Sequence, residues 1–278
     1  MTFDSLKITI LVDNNAGDGL LSEHGLALWI DTGERRILLD TGQGGCLLPN
    51  AERLGIDLTR TDALVISHGH YDHTGGMAGV LKIAPHVEVY CHPAVVVPRY
   101  GSDSGKPKPL GIQKECMRAL DSLPVRRMHW VPDRRELYPG VELTGTVDRK
   151  TAFEDTGGRF YLDPELTRPD PIEDDMAVGI RTRGGVVVCV GCCHSGLINT
   201  LNKILSQSGG SRLRAIIGGF HLLNADHNRV KSTVRALETL SPELIVPCHC
   251  TGNQAVEALK NAFGDGVIPG SSGLTFEF

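Results

Sequence analysis

A chain of 278 residues with 41% hydrophobic and 22% charged residues is balanced like a soluble globular protein and long enough for a substantial core. Its net charge of −5 makes no case for nucleic-acid binding, and no apolar run approaches the roughly 20 residues that span a bilayer. The N-terminal stretch enters a strand-like segment at 8–12 with no basic, apolar and small-residue leader pattern. The expectation is a cytoplasmic protein.

The next strand-like segments, 26–30 and 36–39, flank the turn Asp31-Thr32-Gly33-Glu34 and read as a hairpin. Asp40-Thr41-Gly42 ends the second of them with an acidic residue suited to orienting a ligand imidazole or a metal-bound water. Segment 63–66 is a short apolar strand, and His68-Gly69-His70-Tyr71-Asp72-His73 follows it directly. Three imidazoles and a carboxylate in six residues suit a borderline cation such as Zn²⁺. A loop leaving a strand end can aim all four side chains at one point, or divide them between two adjacent cations. A helix is expected over 74–83, and a strand over 87–91 that delivers His92.

Residues 98–111 are rich in Gly, Pro and charge and read as an exposed loop, a candidate lid carrying Arg99, Lys106 and Lys108. After a helix at 112–121 and a strand at 141–144, residues 149–175 form a second polar, turn-prone stretch. Strands follow at 177–181, 186–190, 214–217, 244–246 and 273–277, with helices at 196–207, 226–239 and 253–263. Three of these strands end in chemistry-bearing loops. Gly191-Cys192-Cys193-His194-Ser195-Gly196 offers His194 as a ligand, with Cys192 or Cys193 as thiolate or as small pocket-floor residues. Gly218-Gly219-Phe220-His221-Leu222 places His221 as a general acid, an anion-fixing residue or a further ligand. Pro247-Cys248-His249-Cys250-Thr251-Gly252 offers His249, and in an extended segment its flanking cysteines point away from it. His24 and His92 fall at comparable places, His92 being a further candidate ligand. Five of eight cysteines cluster in two short segments, Cys189, Cys192 and Cys193 and then Cys248 and Cys250, a pattern of metal or catalytic chemistry, whereas Cys46, Cys91 and Cys116 read as free thiols.

Asp40, His68-x-His70-x-Asp72-His73, His194 and His249, in this order along the whole chain, resemble the metallo-β-lactamase superfamily. Glu23-His24-Gly25-Leu26 and the loops around His194, His221 and His249 resemble the branch of dihydropterin-type ribofuranosyl-aminobenzene-phosphate synthases. The resemblance implies an α/β fold, a four-layer αββα sandwich spanning 1–278 as a single domain. It implies a metal-dependent hydrolase, or a lyase or synthase, with two Zn²⁺ sites, Fe or Mn being alternatives. His68, His70 and His194 would hold one cation and Asp72, His73 and His249 the other. Asp72, His221 and Asp40 would assist the chemistry. His24, Arg99, Lys106 and Lys108 would meet a small anionic, possibly phosphorylated substrate, with no nucleic acid or membrane as partner. Hydrolytic relatives carry a bridging aspartate after the strand that here ends at Val190, and Gly191-Cys192-Cys193-His194 stands in its place. The upstream glycine-histidine motif is also missing near Thr144-Gly145-Thr146, so His194 with a cysteine or water would substitute. His70, where flavodiiron relatives have Glu, favours zinc-type hydrolysis over oxygen chemistry. The competing readings are an iron-containing redox protein and a non-catalytic metal-stabilised sensor.

Overall fold

Alternation of apolar residues decides which side each strand shows to which layer. In the computed structural model, which describes residues 2–3, 5–103 and 105–278, the chain begins with β1 (Lys7–Val12), β2 (Ala27–Asp31) and β3 (Arg36–Leu39). Met1, Asp4 and Ser104 lie outside the described residues. Next come α1 (Leu47–Arg53), β4 (Ala63–Ile66), α2 (Tyr71–Thr74), α3 (Met77–Ile83) and β5 (Glu88–Cys91). Then follow β6 (Tyr100–Asp103), β7 (Lys106–Pro109), α4 (Lys114–Asp121), β8 (Met128–Trp130), β9 (Arg135–Tyr138) and β10 (Val141–Leu143). The chain continues through β11 (Ala177–Thr182), β12 (Gly185–Val190), α5 (Leu197–Gln207) and β13 (Leu213–Gly219). It ends with α6 (His227–Leu240), β14 (Leu244–Cys248), α7 (Asn253–Phe263) and β15 (Thr275–Glu277).

Among the described residues the strands form two large sheets, ordered β15-β1-β2-β3-β4-β5-β8 and β14-β13-β12-β11-β10-β9. Ile37 and Leu39 of β3 face the second sheet, while Leu38 between them faces the outer helices. Val187 and Cys189 of β12 likewise face inward, and Val186, Val188 and Val190 face α5 and its neighbours. Each fully buried Leu, Ile or Val contributes about 1.5–3 kcal/mol, so this two-sided pattern holds four layers together. The result is helices, sheet, sheet, helices. Each sheet starts with antiparallel strands and ends with parallel ones, β3 to β4, β5 and β8 in one and β12 to β13 and β14 in the other. The crossovers between these parallel strands carry the helices, and the loops leaving their carboxyl ends collect at one side of the sandwich, where open α/β sheets bind ligands. Among the described residues no helix is long and apolar enough to cross a membrane.

Two expectations change. The stretch 98–111 is not an open loop but the β6–β7 hairpin, whose strands pair from Tyr100 with Pro109 to Asp103 with Lys106. Strands β8 and β9 escaped notice because each is a short strand at the edge of its sheet. Residues 149–175, as expected, contain no named helix or strand. Cys46, Cys91 and Cys116 are buried free thiols packed with the outer helices.

Candidate metal centre

The hexad is oriented from behind by Asp40. A left-handed backbone at Asp40 (φ 60°) turns its carboxylate under the metal loop. Oδ1 accepts a hydrogen bond from the Ser67 amide at 2.8 Å, and Oδ2 accepts one from the Ser67 hydroxyl at 2.6 Å. The same Oδ2 lies 2.7 Å from His73 Nδ1, while the Ser67 hydroxyl lies 2.9 Å from His68 Nδ1. One carboxylate therefore sets two imidazoles, His73 directly and His68 through a serine. Gly191 makes this possible, because a Cβ there would stand 2.0 Å from Ser67 Oγ and 2.9 Å from Asp40 Oδ2. His68 Nε2 lies 3.0 Å from His70 Nδ1, a spacing suited to two donors sharing a cation.

The second sheet brings the remaining groups. His194 Nδ1 faces the Thr156 carbonyl at 2.9 Å, and His249 Nδ1 faces the Asn14 side-chain oxygen at 2.8 Å. Four histidines (68, 73, 194 and 249) thus share one arrangement: Nδ1 faces an oxygen, and Nε2 turns toward the cluster. Such partners fix the tautomer and ring orientation of metal-ligating histidines. His249 Nε2 stands 3.3 Å from Asp72 Oδ2, and His73 Nε2 stands 3.1 Å from Cys192 Sγ. Among the described residues, His70 Nε2, His194 Nε2 and His221 Nδ1 are buried with no hydrogen-bond partner. Buried polar atoms are rarely orphaned unless an ion or water completes them. Donor atoms converge within 4.8 Å in the groups His68, Cys192, His194 and His73, Cys192, His249, so Cys192 belongs to both. Bare imidazoles around a carboxylate and a thiol fit a cation of the zinc type.

Electrostatics keeps His68, His70 and His194 in the neutral, ligating form, whereas His73 must give up a proton to bind a cation. Burial, reinforced by repulsion among neighbouring imidazoles, holds His68 and His194 well below the usual histidine range. Burial takes His70 down to about 3. Burial also opposes charge on His73, but the Asp40 carboxylate outweighs it and holds His73 up to about 9. For Asp72, burial disfavours the carboxylate, yet hydrogen bonds from His24 and His249 keep it well below the usual range.

Other expected residues divide. His24 is half-exposed at the rim, with Nε2 3.2 Å from Asp72 Oδ2 and its ring 4.6 Å from that of His249. His221 lies beside the cluster, its ring 4.2 Å from that of His194. Lys106 and Lys108 are exposed on the β6–β7 hairpin, and Lys108 Nζ approaches the Tyr71 ring at 5.9 Å. Arg99 does not face an anion from a lid: it is buried, with Nε on Asp170 at 2.8 Å and Nη1 on Asp174 at 2.8 Å. Asp174 Oδ2 also accepts from the Gly69 amide at 2.7 Å, so Arg99 braces the metal loop. His92 likewise stays outside the cluster: Nδ1 accepts from the Ala94 amide and Nε2 meets Thr146 Oγ1, both at 3.0 Å, closing a turn.

Three groups joined the site unannounced. Cys250 was expected to point away, but His249 is left-handed (φ 47°), and Cys250 Sγ comes within 3.3 Å of Cys192 Sγ. Phe160, from the 149–175 segment, packs against His70 and His194 with ring centroids 5.1 Å away in each case. Asp13 and Asn14, an acidic strand end like Asp40, hold the His249 amide at 2.7 Å and its ring. That likeness was the available signal.

The profile of the metallo-β-lactamase superfamily matches residues 23–249. A 7,8-dihydropterin-6-methyl-4-(β-D-ribofuranosyl)-aminobenzene-5′-phosphate synthase from Methanocaldococcus jannaschii is 31% identical over 274 residues, covering 94% of this chain and 92% of the relative. A solved metal-dependent hydrolase of the β-lactamase superfamily superposes with a TM-score of 0.81 at 28% identity, covering 98% of this chain and 99% of the other. Zinc-bound PqqB from Methylobacterium extorquens shares the fold, with a TM-score of 0.56 at 13% identity and coverage of 97% and 99%. The αββα sandwich, with donors gathered at its loop edge, and the profile over most of the chain agree: the chain belongs to the metallo-β-lactamase superfamily.

Proposed function

We propose that this protein is a metal-dependent hydrolase with a two-cation centre, acting on a small, anionic, phosphorylated substrate. The observation that carries the reading is the set of four histidines anchored through Nδ1, with Nε2 turned inward to converge with Asp72 and Cys192. His68, His70 and His194 would hold one cation, Asp72, His73 and His249 the other, with Cys192 between them. Zinc suits this donor set best, with iron or manganese as alternatives. Cations bound there supply Lewis-acid polarisation and lower the pKa of water from 15.7 to about 7. Asp40 holds His73 and, through Ser67, His68 in place. Phe160 excludes water from the side of His70 and His194. His221, with a buried and unpartnered Nδ1, is positioned to pass a proton to a leaving oxygen. Lys106 and Lys108 draw the substrate's negative charge toward the Tyr71 end of the loop.

His70→Ala and His73→Ala should each remove bound metal, read by elemental analysis, together with turnover across phosphomonoesters, phosphodiesters and lactones. Full retention of metal in both variants would sink the assignment. A second reading, favoured by the full-length match to the M. jannaschii synthase, is that the centre serves a synthase. Formation of that relative's named product by this protein, with no hydrolysis across the panel, would establish the second over the first.

A further inference from the structure

One cluster beside the centre joins Cys192 and His221, which the proposed hydrolysis uses separately, to Cys250, which it does not use. Strands β14, β13 and β12 are neighbours, and the loops leaving them deliver Cys250, His221 and Cys192. One donor atom from each lies within 4.8 Å of the other two. The sulfurs are 3.3 Å apart, and both cysteines are buried free thiols. His221 is only partly buried and opens the cluster toward solvent, although its Nδ1 is buried without a partner.

The backbone is shaped around this cluster. His221 and His249 both adopt left-handed conformations (φ 46° and 47°), which cost a non-glycine residue about 1 kcal/mol or more. The turn at His249 aims Cys250 inward. Gly219 leaves the space it needs, since a Cβ there would stand 2.6 Å from Cys250 Sγ. Gly157 does the same for His221, where a Cβ would lie 1.9 Å from the ring.

We propose that Cys192, Cys250 and His221 form a sulfur-rich cation position beside the imidazole–carboxylate centre, suited to a thiophilic cation such as zinc, cadmium or cuprous copper. Soft thiolate donors select such cations, whereas the neighbouring imidazoles and carboxylate accept harder ones. Zn–S bonds of about 2.3 Å at tetrahedral angles would set two sulfurs about 3.8 Å apart. The observed 3.3 Å therefore needs only a small opening. On binding, each thiol gives its proton to solvent and its sulfur lone pair to the cation, and no electrons are transferred. The proposal deepens the proposed function and rests on it only in sharing Cys192 and His221.

The test uses the full chain, reduced and metal-free, loaded with one equivalent of Cd²⁺. X-ray absorption should count two sulfurs around cadmium in the unaltered protein. The thiolate-to-cadmium ultraviolet band should fall by about half in Cys250→Ser and vanish in Cys192→Ser/Cys250→Ser. One sulfur or none around cadmium, or an undiminished band in Cys250→Ser, overturns the proposal. The sulfur count on unaltered protein holds whether or not the variants fold. Failure of the hydrolytic reading looks different: cadmium keeps two sulfurs, while His68→Ala and His73→Ala leave the metal count by native mass spectrometry unchanged.

Discussion

Asp40 shows how much one buried side chain governs. Asp40→Asn preserves its size but takes away a carboxylate oxygen that receives both Ser67 Oγ–H and His73 Nδ1–H. Loss of such an outer partner typically costs 10–100-fold in metal affinity, and that drop, read by competition with a chromogenic chelator, is the expected outcome. The imidazoles also set an acid limit. In the metal-free protein His68, His70 and His194 resist protonation when folded, but titrate near 6.5 when unfolded. Below pH 6.5 the unfolded chain binds protons that the folded chain refuses, so stability falls with pH. Asp175, which burial holds up to about 6, opposes with one proton as pH drops toward 4. His73, held up to about 9, contributes stability that is complete below 6.5 and lost as pH rises through 9. Burial also raises Asp13, Glu154 and Asp174, which oppose in the same sense from their lower ordinary range. Between pH 7 and 5 the three imidazoles outweigh Asp175, so the Tm of metal-free protein should drop, and a rising Tm would contradict these burials. His68, His70, Asp72 and His73 were legible in the sequence because four donors stood in one short loop after an apolar strand. Cys250 was not, because a single left-handed residue, His249, reversed the direction that an extended segment implies.

At the scale of elements, strand ends were readable because runs such as 186–190 are apolar on both faces and stop at glycine. The β6–β7 hairpin was not readable: Gly101, Gly105, Pro107 and Pro109 give it the composition of a loop. Its leading residue, Arg99, joins three pieces of chain that are distant in sequence. The guanidinium pairs with Asp170 and Asp174, and Asp174 holds the Gly69 amide. Arg99→Leu would strand two buried carboxylates, a change worth about 3–5 kcal/mol. Urea denaturation should show that loss alongside weakened metal binding, since Gly69 sits between His68 and His70. An unchanged midpoint would mean that the hairpin is held by other contacts.

At the scale of the molecule, the centre draws on both sheets: Asp40 and the hexad from one, His194, His221 and His249 from the other. The sequence suggested this architecture because each donor follows a strand. It could not supply the anchoring partners, Asn14 for His249 and Thr156 for His194, whose pairing exists only once the sheets have packed. This assembly has a kinetic consequence. Strand β1 carries Asp13 and Asn14 at its end and is flanked in its sheet by β15, formed from residues 275–277. The ligand set is therefore complete only after the farthest contacts of the chain have closed, and we predict that this step follows the folding transition state. Interactions absent from that state act on the reverse rate. Saturating zinc should slow unfolding in stopped-flow denaturant jumps and leave the refolding rate of metal-free chains nearly unchanged. The metal then acts as a latch on a finished fold, fastened after the chain has found its shape.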